Sequence, residues 1–184
     1  MISATDFERG MVIKVSGEPY LILDHQFVKP GKGAAFVRVT LKHIKSGKVL
    51  EKTFKSQEKF EELELNYKKG TYLYSDRQNS VFLQEDNKRV SLPLQLTQDK
   101  IVYLKEKSEV QLVYLEDELI DVKIPIKVKL KVIEAPPGVK GNTVSGAMKQ
   151  VKLETGLIIN VPIFIEEGDE IIINTETGEY VERA

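Results

Sequence analysis

The sequence predicts an all-β protein assembled from small barrels. Apolar residues recur mostly with period two, the signature of half-buried antiparallel strands. The runs are short and are broken at intervals of roughly ten residues by Gly, Asn, Asp or Pro. Helical signals are few, and none is long enough to build a bundle.

Taken in order, Thr5-Asp6-Phe7-Glu8 reads as a capping box over one turn. Met11 to Val15 is the first clear strand; Ser16-Gly17-Glu18-Pro19 turns the chain into a longer strand from Tyr20 to Val28. Val37, Val39 and Leu41 then fall on one strand face, with Arg38, Thr40 and Lys42 on the other. Three strands joined by tight turns suggest a small barrel. Ser56 is expected to cap a helix over Gln57 to Leu65, and Thr97 another over Gln98 to Glu106. The polar stretch Asn66-Tyr67-Lys68-Lys69-Gly70 precedes a new strand, and Ile124-Pro125 precedes the run Val128, Leu130, Val132. These features set the expected domains at 1–64, 65–126 and 127–184. A barrel of about 60 residues buries only about 60% of its unfolded surface, so neighbours are expected to pack on each other. No internal repeat or low-complexity tract is visible.

The 184 residues carry 27 basic and 28 acidic side chains, a net charge of −1, with 41% hydrophobic and 30% charged residues. That composition is globular and excludes a uniformly basic coat. The absence of Cys removes disulfides, thiolate metal sites and cysteine nucleophiles, and favours a reducing compartment. Acids in the segment Met1 to Arg9 argue against a secretory signal. The uncharged stretch Thr155 to Ile165 falls short of the roughly 18–20 residues a membrane helix needs. A soluble, cytoplasmic protein without membrane contact is expected.

Catalytic signatures are sparse in the sequence. His25 and His43 have no second imidazole at metal-ligand spacing, and phosphate-loop, serine-hydrolase and zinc-protease patterns are absent. Ser56-Gln57-Glu58-Lys59 matches S-x-x-K without its companion motifs, and reads as a helix cap. Glu166-Glu167-Gly168-Asp169-Glu170 offers carboxylates a hard cation would accept, but the spacing fits a solvated hairpin turn between strands ending at Ile165 and beginning at Ile171. No catalytic residue, metal or cofactor is expected, and the chain is not read as an enzyme.

Charge is distributed unevenly, at +2, −1 and −2 over the three expected domains. Lys29 to Lys59 contains nine bases and two acids. Within it, Lys29-Pro30-Gly31-Lys32-Gly33 lies between two alternating strands and should form the tip of a hairpin, with Lys32 outermost. Glycine on either side removes side chains that would hold the backbone away from a tightly packed partner. Lys29 and Arg38 add charge nearby, so the tip suits a narrow phosphate-lined cavity.

The run Lys29-Pro30-Gly31-Lys32-Gly33-Ala34-Ala35-Phe36-Val37-Arg38 resembles the first-domain tip of the bacterial elongation factor P family, relatives of the hypusine-bearing initiation factor of eukaryotes and archaea. Lys149-Gln150-Val151 followed by Gly156 to Gly168 is similar to the family's third-domain signature, and Gly178-Glu179-Tyr180-Val181-Glu182-Arg183 to its C-terminal end. The resemblance implies an SH3-like barrel followed by two OB-fold barrels in an L-shaped, tRNA-like arrangement. It implies binding to the 70S ribosome between the peptidyl-tRNA and exit sites, and relief of stalling at consecutive prolines. Lys32 would then point along the CCA end of the prolyl peptidyl-tRNA, and in many members this lysine is extended by a modifying enzyme. Gly141, Asn142 and Thr143 match a loop near the exit-site codon and small subunit, with Asn142 where many members have Asp. Tyr180 and Arg183 match residues near the anticodon stem. A monomer is expected. The competing reading is a structural RNA-binding or ribosome-associated module whose tip only anchors, with no role in peptide-bond formation.

Overall fold

Sixteen strands are described in the computed structural model, arranged as three antiparallel sheets. The description covers residues 1–138 and 147–184. These fall into two compact units, Met1–Tyr67 with Val113–Ile120, and Lys68–Leu112 with Asp121–Ala184.

The first sheet is built from β1 (Ile2–Ser3), β2 (Val12–Val15), β3 (Glu18–Val28), β4 (Phe36–His43), β5 (Val49–Lys55) and β6 (Lys59–Leu63), in the order β1-β6-β2-β3-β4-β5. Inward positions of the alternating strands, Ile13, Ile22, Val37, Val39 and Leu41, meet Phe7, Phe54 and Phe60 in one cluster. Phe54 and Phe60 lie 4.6 Å apart and Phe7 lies 5.3 Å from Phe60, both within the range of favourable ring pairs. The first turn is short 3₁₀ structure over Ala4–Asp6. Its box is closed two residues earlier than expected: the Ser3 hydroxyl and N–H both donate to Asp6, at 2.7 and 3.0 Å. Those two bonds hold the Asp6 carboxyl below the usual carboxylate range.

The helix expected after Ser56 does not form. Lys59–Leu63 is β6, because pairing on both sides, Ile2 with Phe60 and Val12 with Leu63, outweighs the local helical preference of Glu58 to Glu64. Ser56 donates its N–H to the Ala35 carbonyl instead.

The second sheet comprises β7 (Leu65–Ser75), β8 (Asn79–Gln84), β9 (Arg89–Pro93), β10 (Glu109–Leu115) and β11 (Glu118–Lys123), in the order β11-β10-β7-β8-β9, with helix α1 (Leu94–Ile101) between its third and fourth strands. Thr97, expected at the cap, lies inside α1, which begins directly after Pro93. Its side chain is fully buried and is hydrogen-bonded to the buried Ser80 hydroxyl. Thr97→Val is therefore expected to cost about 1–3 kcal/mol by orphaning Ser80, with Thr97→Val combined with Ser80→Ala recovering much of it. Denaturant titration of the two variants measures the difference.

The turn of the β10–β11 hairpin belongs to the first unit, where Val113, Leu115 and Ile120 pack with Val12 and Ile44.

The third sheet contains β12 (Lys127–Glu134), β13 (Met148–Leu153), β14 (Ile158–Pro162), β15 (Glu170–Asn174) and β16 (Glu179–Arg183), in the order β14-β13-β12-β15-β16. In both five-stranded sheets the first strand is central, flanked by the second and the fourth. This is OB-fold connectivity, a repeat of topology that leaves no repeat in the sequence. The core is Leu130, Val132, Val151, Leu153, Val161, Ile165, Ile171 and Ile173, with Ile159 at its margin.

The acidic turn differs from expectation in its connection. β14 ends at Pro162, Ile165 is a buried loop residue, and β15 pairs with β12 and β16, so Glu166 to Asp169 joins strands that are not neighbours. The Gly168 N–H donates to the Val132 carbonyl at 2.9 Å. Among the described residues no group of side chains is arranged to hold a metal ion, and no helix is long and apolar enough to cross a membrane.

Candidate functional site

The β3–β4 ladder runs from Tyr20 opposite His43 to Val28 opposite Phe36, leaving 29–35 as its connecting loop. β2 pairs with β3 only from Glu18 to Leu21, so the remainder of β3 has no strand on that side. The end of the hairpin is thus an edge on one flank and is supported by β5 on the other, through Phe36 opposite Lys55. At its root Arg9 reaches Asp24 at 3.3 Å, a pairing of residues fifteen apart that no sequence pattern signalled. The His25 N–H and the Arg9 guanidinium hold the Asp24 carboxyl below its usual range.

In the loop, Lys29, Gly31, Lys32 and Gly33 are exposed and Pro30 is half-buried. Among the described residues Lys32 has no hydrogen bond and no carboxylate at ion-pair distance. The two flanking glycines differ physically. Gly33 has φ +105°, a conformation that L side chains rarely adopt. Gly31 has no such φ, and a Cβ there would meet nothing within 4 Å. The fold needs glycine at 33 and does not need it at 31.

Arg38 sits two rungs below the loop, opposite Gln26, with its Nε 3.6 Å from Glu51. The basic run does not form one face. Arg38, Lys42 and Lys55 share the outer face of β4 and β5, and Lys52 pairs with Val39 on the opposite face. Lys45 and Lys48 occupy the turn at the far end of β4, about 24 Å of strand from Phe36. Lys59 lies opposite Ser3.

Tyr180 and Arg183 are brought onto one face by a bulge. Tyr180 lies opposite Ile173, Glu182 opposite Ile172 and Arg183 opposite Ile171, leaving Val181 as the extra residue. Tyr180 packs against the third core, whereas Arg183 is exposed, 3.9 Å from Asp169 and 5.7 Å from the centroid of the exposed Phe164 ring. Phe164 is a neighbour that reading β16 alone could not reveal. The turn before Tyr180 depends on Gly178, with φ +75° and the Tyr103 hydroxyl 3.1 Å from where a Cβ would stand. Gly178→Ala is expected to destabilise the protein by about 1–2 kcal/mol through that left-handed backbone, readable as a lowered melting temperature. Gly141, Asn142 and Thr143 lie outside the described residues.

Residues 3–60 match the family described as elongation factor P (EF-P) KOW-like domain, 65–122 the elongation factor P (EF-P) OB domain, and 128–183 elongation factor P, C-terminal. Over 185 aligned residues spanning all of both chains, the protein is 46% identical to elongation factor P of Endomicrobium trichonymphae and 42% identical to that of Moorella thermoacetica. Among solved structures, eukaryotic translation initiation factor 5A from Methanococcus jannaschii shares the fold at 22% identity and TM-score 0.50, over 67% of this chain and 90% of that one. The first sheet is accordingly the SH3-like (KOW-like) barrel and the two five-stranded sheets are OB-fold barrels. With three consecutive family matches and full-length relatives, the chain belongs to the elongation factor P family of translation elongation factors.

Proposed function

We propose that the protein binds the ribosome between the peptidyl-tRNA and exit sites and accelerates peptide-bond formation at consecutive prolines, with Lys32 positioning the CCA end of the peptidyl-tRNA. The observation that carries this reading is the pairing of an unpartnered Lys32 with a Gly31 that the fold does not require. An absent side chain that neither conformation nor internal packing demands fits a surface against which something else packs closely. Lys29, Pro30, Gly33 and Arg38 supply the rest of the tip, and Tyr180 with Arg183 meets the anticodon stem. The functional division follows 1–64, 65–126 and 127–184.

Proline is a poor acceptor because its nitrogen is a hindered secondary amine, and a prolyl chain has little φ freedom with which to reorient. Orientation then limits the rate, and positioning can contribute up to about 7–11 kcal/mol in favourable intramolecular systems. A lysine ammonium on a flexible stem has three donors and can follow phosphates without reading bases. The role assigned to Lys32 is electrostatic and positional, with no proton transfer. A lysine-modifying enzyme acting there would extend the same amine further.

The test is synthesis of a triprolyl peptide on purified ribosomes, with and without the protein. Faster bond formation at the proline step is expected, with little change for a non-proline message. Ribosome binding without acceleration would instead favour the anchoring module.

A further inference from the structure

The exposed end of β3 carries two rings that the fold does not use. An extra residue at Leu23 shifts the β3–β4 register between Ile22 and Asp24. Beyond it, His25 lies opposite Val39 and Phe27 opposite Val37, so both side chains leave the same face. The two valines are buried, at 0% and 1% exposure, whereas His25 is exposed and Phe27 is 53% exposed. The difference arises because β4 is flanked by β3 and β5, while β3 has lost β2. Among the described residues Phe27 makes no ring contact, and the His25 imidazole makes no hydrogen bond or ion pair.

Same-face neighbours on a strand are about 6.8 Å apart, near twice the rise of about 3.4 Å per nucleotide of a stacked strand. Two rings at that spacing leave room for one base held between them. Lys29 and Lys32 follow directly, both exposed in the loop that leaves β3. Ring faces beside a cationic track are the two components of single-strand nucleic-acid binding.

From this arrangement we infer that His25 and Phe27 form a stacking strip for unpaired RNA bases whose phosphates run past Lys29 and Lys32. The occupant is the single-stranded 3′ end of the tRNA; that choice of strand rests on the proposed function, and the stacking itself does not.

The experiment uses the full chain and a fluorescent six-nucleotide RNA ending in CCA, titrated by anisotropy at several salt concentrations. Phe27→Ala is expected to weaken binding about tenfold with an unchanged salt slope, Phe27→Trp to retain it, and Phe27→Leu to behave as the alanine variant. Lys32→Ala should reduce the salt slope. Unaltered melting temperatures guard against unfolding. Wild-type affinity in Phe27→Leu, an equal Phe27→Ala loss on a duplex of the same length, or no wild-type binding at low salt would each overturn the strip. On ribosomes, the Phe27→Ala penalty should appear only when the peptidyl site holds tRNA; a penalty on vacant ribosomes would move the rings to ribosomal RNA and overturn the choice of strand. In triprolyl synthesis, a Phe27→Ala protein as effective as wild type with unchanged RNA binding would end the strip and leave the proposed function standing. A wild-type protein that stacks RNA without accelerating synthesis would do the reverse.

Discussion

Lys32→Ala is expected to remove most of the acceleration of triprolyl synthesis while leaving the melting temperature of the protein unchanged. The side chain is exposed and has no partner among the described residues, so its removal falls in the class of surface changes within about 0.5 kcal/mol of neutral. A loss of stimulation of about tenfold or more would correspond to at least about 1.4 kcal/mol of positioning. Lys32→Arg keeps the charge but replaces a compact ammonium with a planar fork, and should recover only part of the rate. Gly31→Ala is the sharper companion. Its Cβ meets nothing in the fold, so stability should be retained, and any loss of acceleration would arise from a partner lying against the loop. Gly33→Ala should lose stability as well, through its φ of +105°. Full stimulation by both Lys32→Ala and Gly31→Ala would exclude the loop from the reaction.

The loop was legible in the sequence because its signal is local: two alternating strands bracket a Pro-Gly-Lys-Gly turn, and pairing of Val28 with Phe36 closes it where that pattern ends. What was not legible depends on distant partners. Glu58 to Glu64 has helical character by itself and becomes β6 only because Ile2 and Val12 lie alongside it. Thr97 resembles a cap until Ser80, seventeen residues earlier, takes its hydroxyl. The acidic turn after Ile165 was recognisable as a turn, yet its connection followed from the position of β12 between β13 and β15. At the third-domain site, the three-residue spacing of Tyr180 and Arg183 suggests opposite strand faces, and only the bulge at Val181 reverses that. Local chemistry was readable; long-range register was not.

The largest effect on stability is expected from Phe7→Ala. Phe7 is 2% exposed and contacts both Phe54 and Phe60, at 6.2 and 5.3 Å, in the cluster that also holds Ile22, Val39 and Leu41. Truncating a buried phenylalanine costs about 3–5 kcal/mol, from lost transfer energy and the cavity left behind. A barrel of this size has little reserve, since whole domains are stable by only about 5–15 kcal/mol. Ile22 immediately precedes the Leu23 bulge, and Val37 and Val39 lie opposite Phe27 and His25, so the same cluster fixes the base from which the Lys32 loop is carried. Phe7→Ala should therefore abolish acceleration by loosening the hairpin, although Phe7 itself lies in the core. Hydrogen exchange locates the damage: protection should fall across Val12–Val15 and Phe36–His43 and persist across Lys127–Glu134 and Glu170–Asn174, whose core of Leu130, Val132, Ile171 and Ile173 is separate. Phe7→Leu, which retains much of the apolar volume, should restore most of the protection and the activity with it. Activity that stayed lost in a fully protected Phe7→Leu protein would break the link between this core and the reach of Lys32.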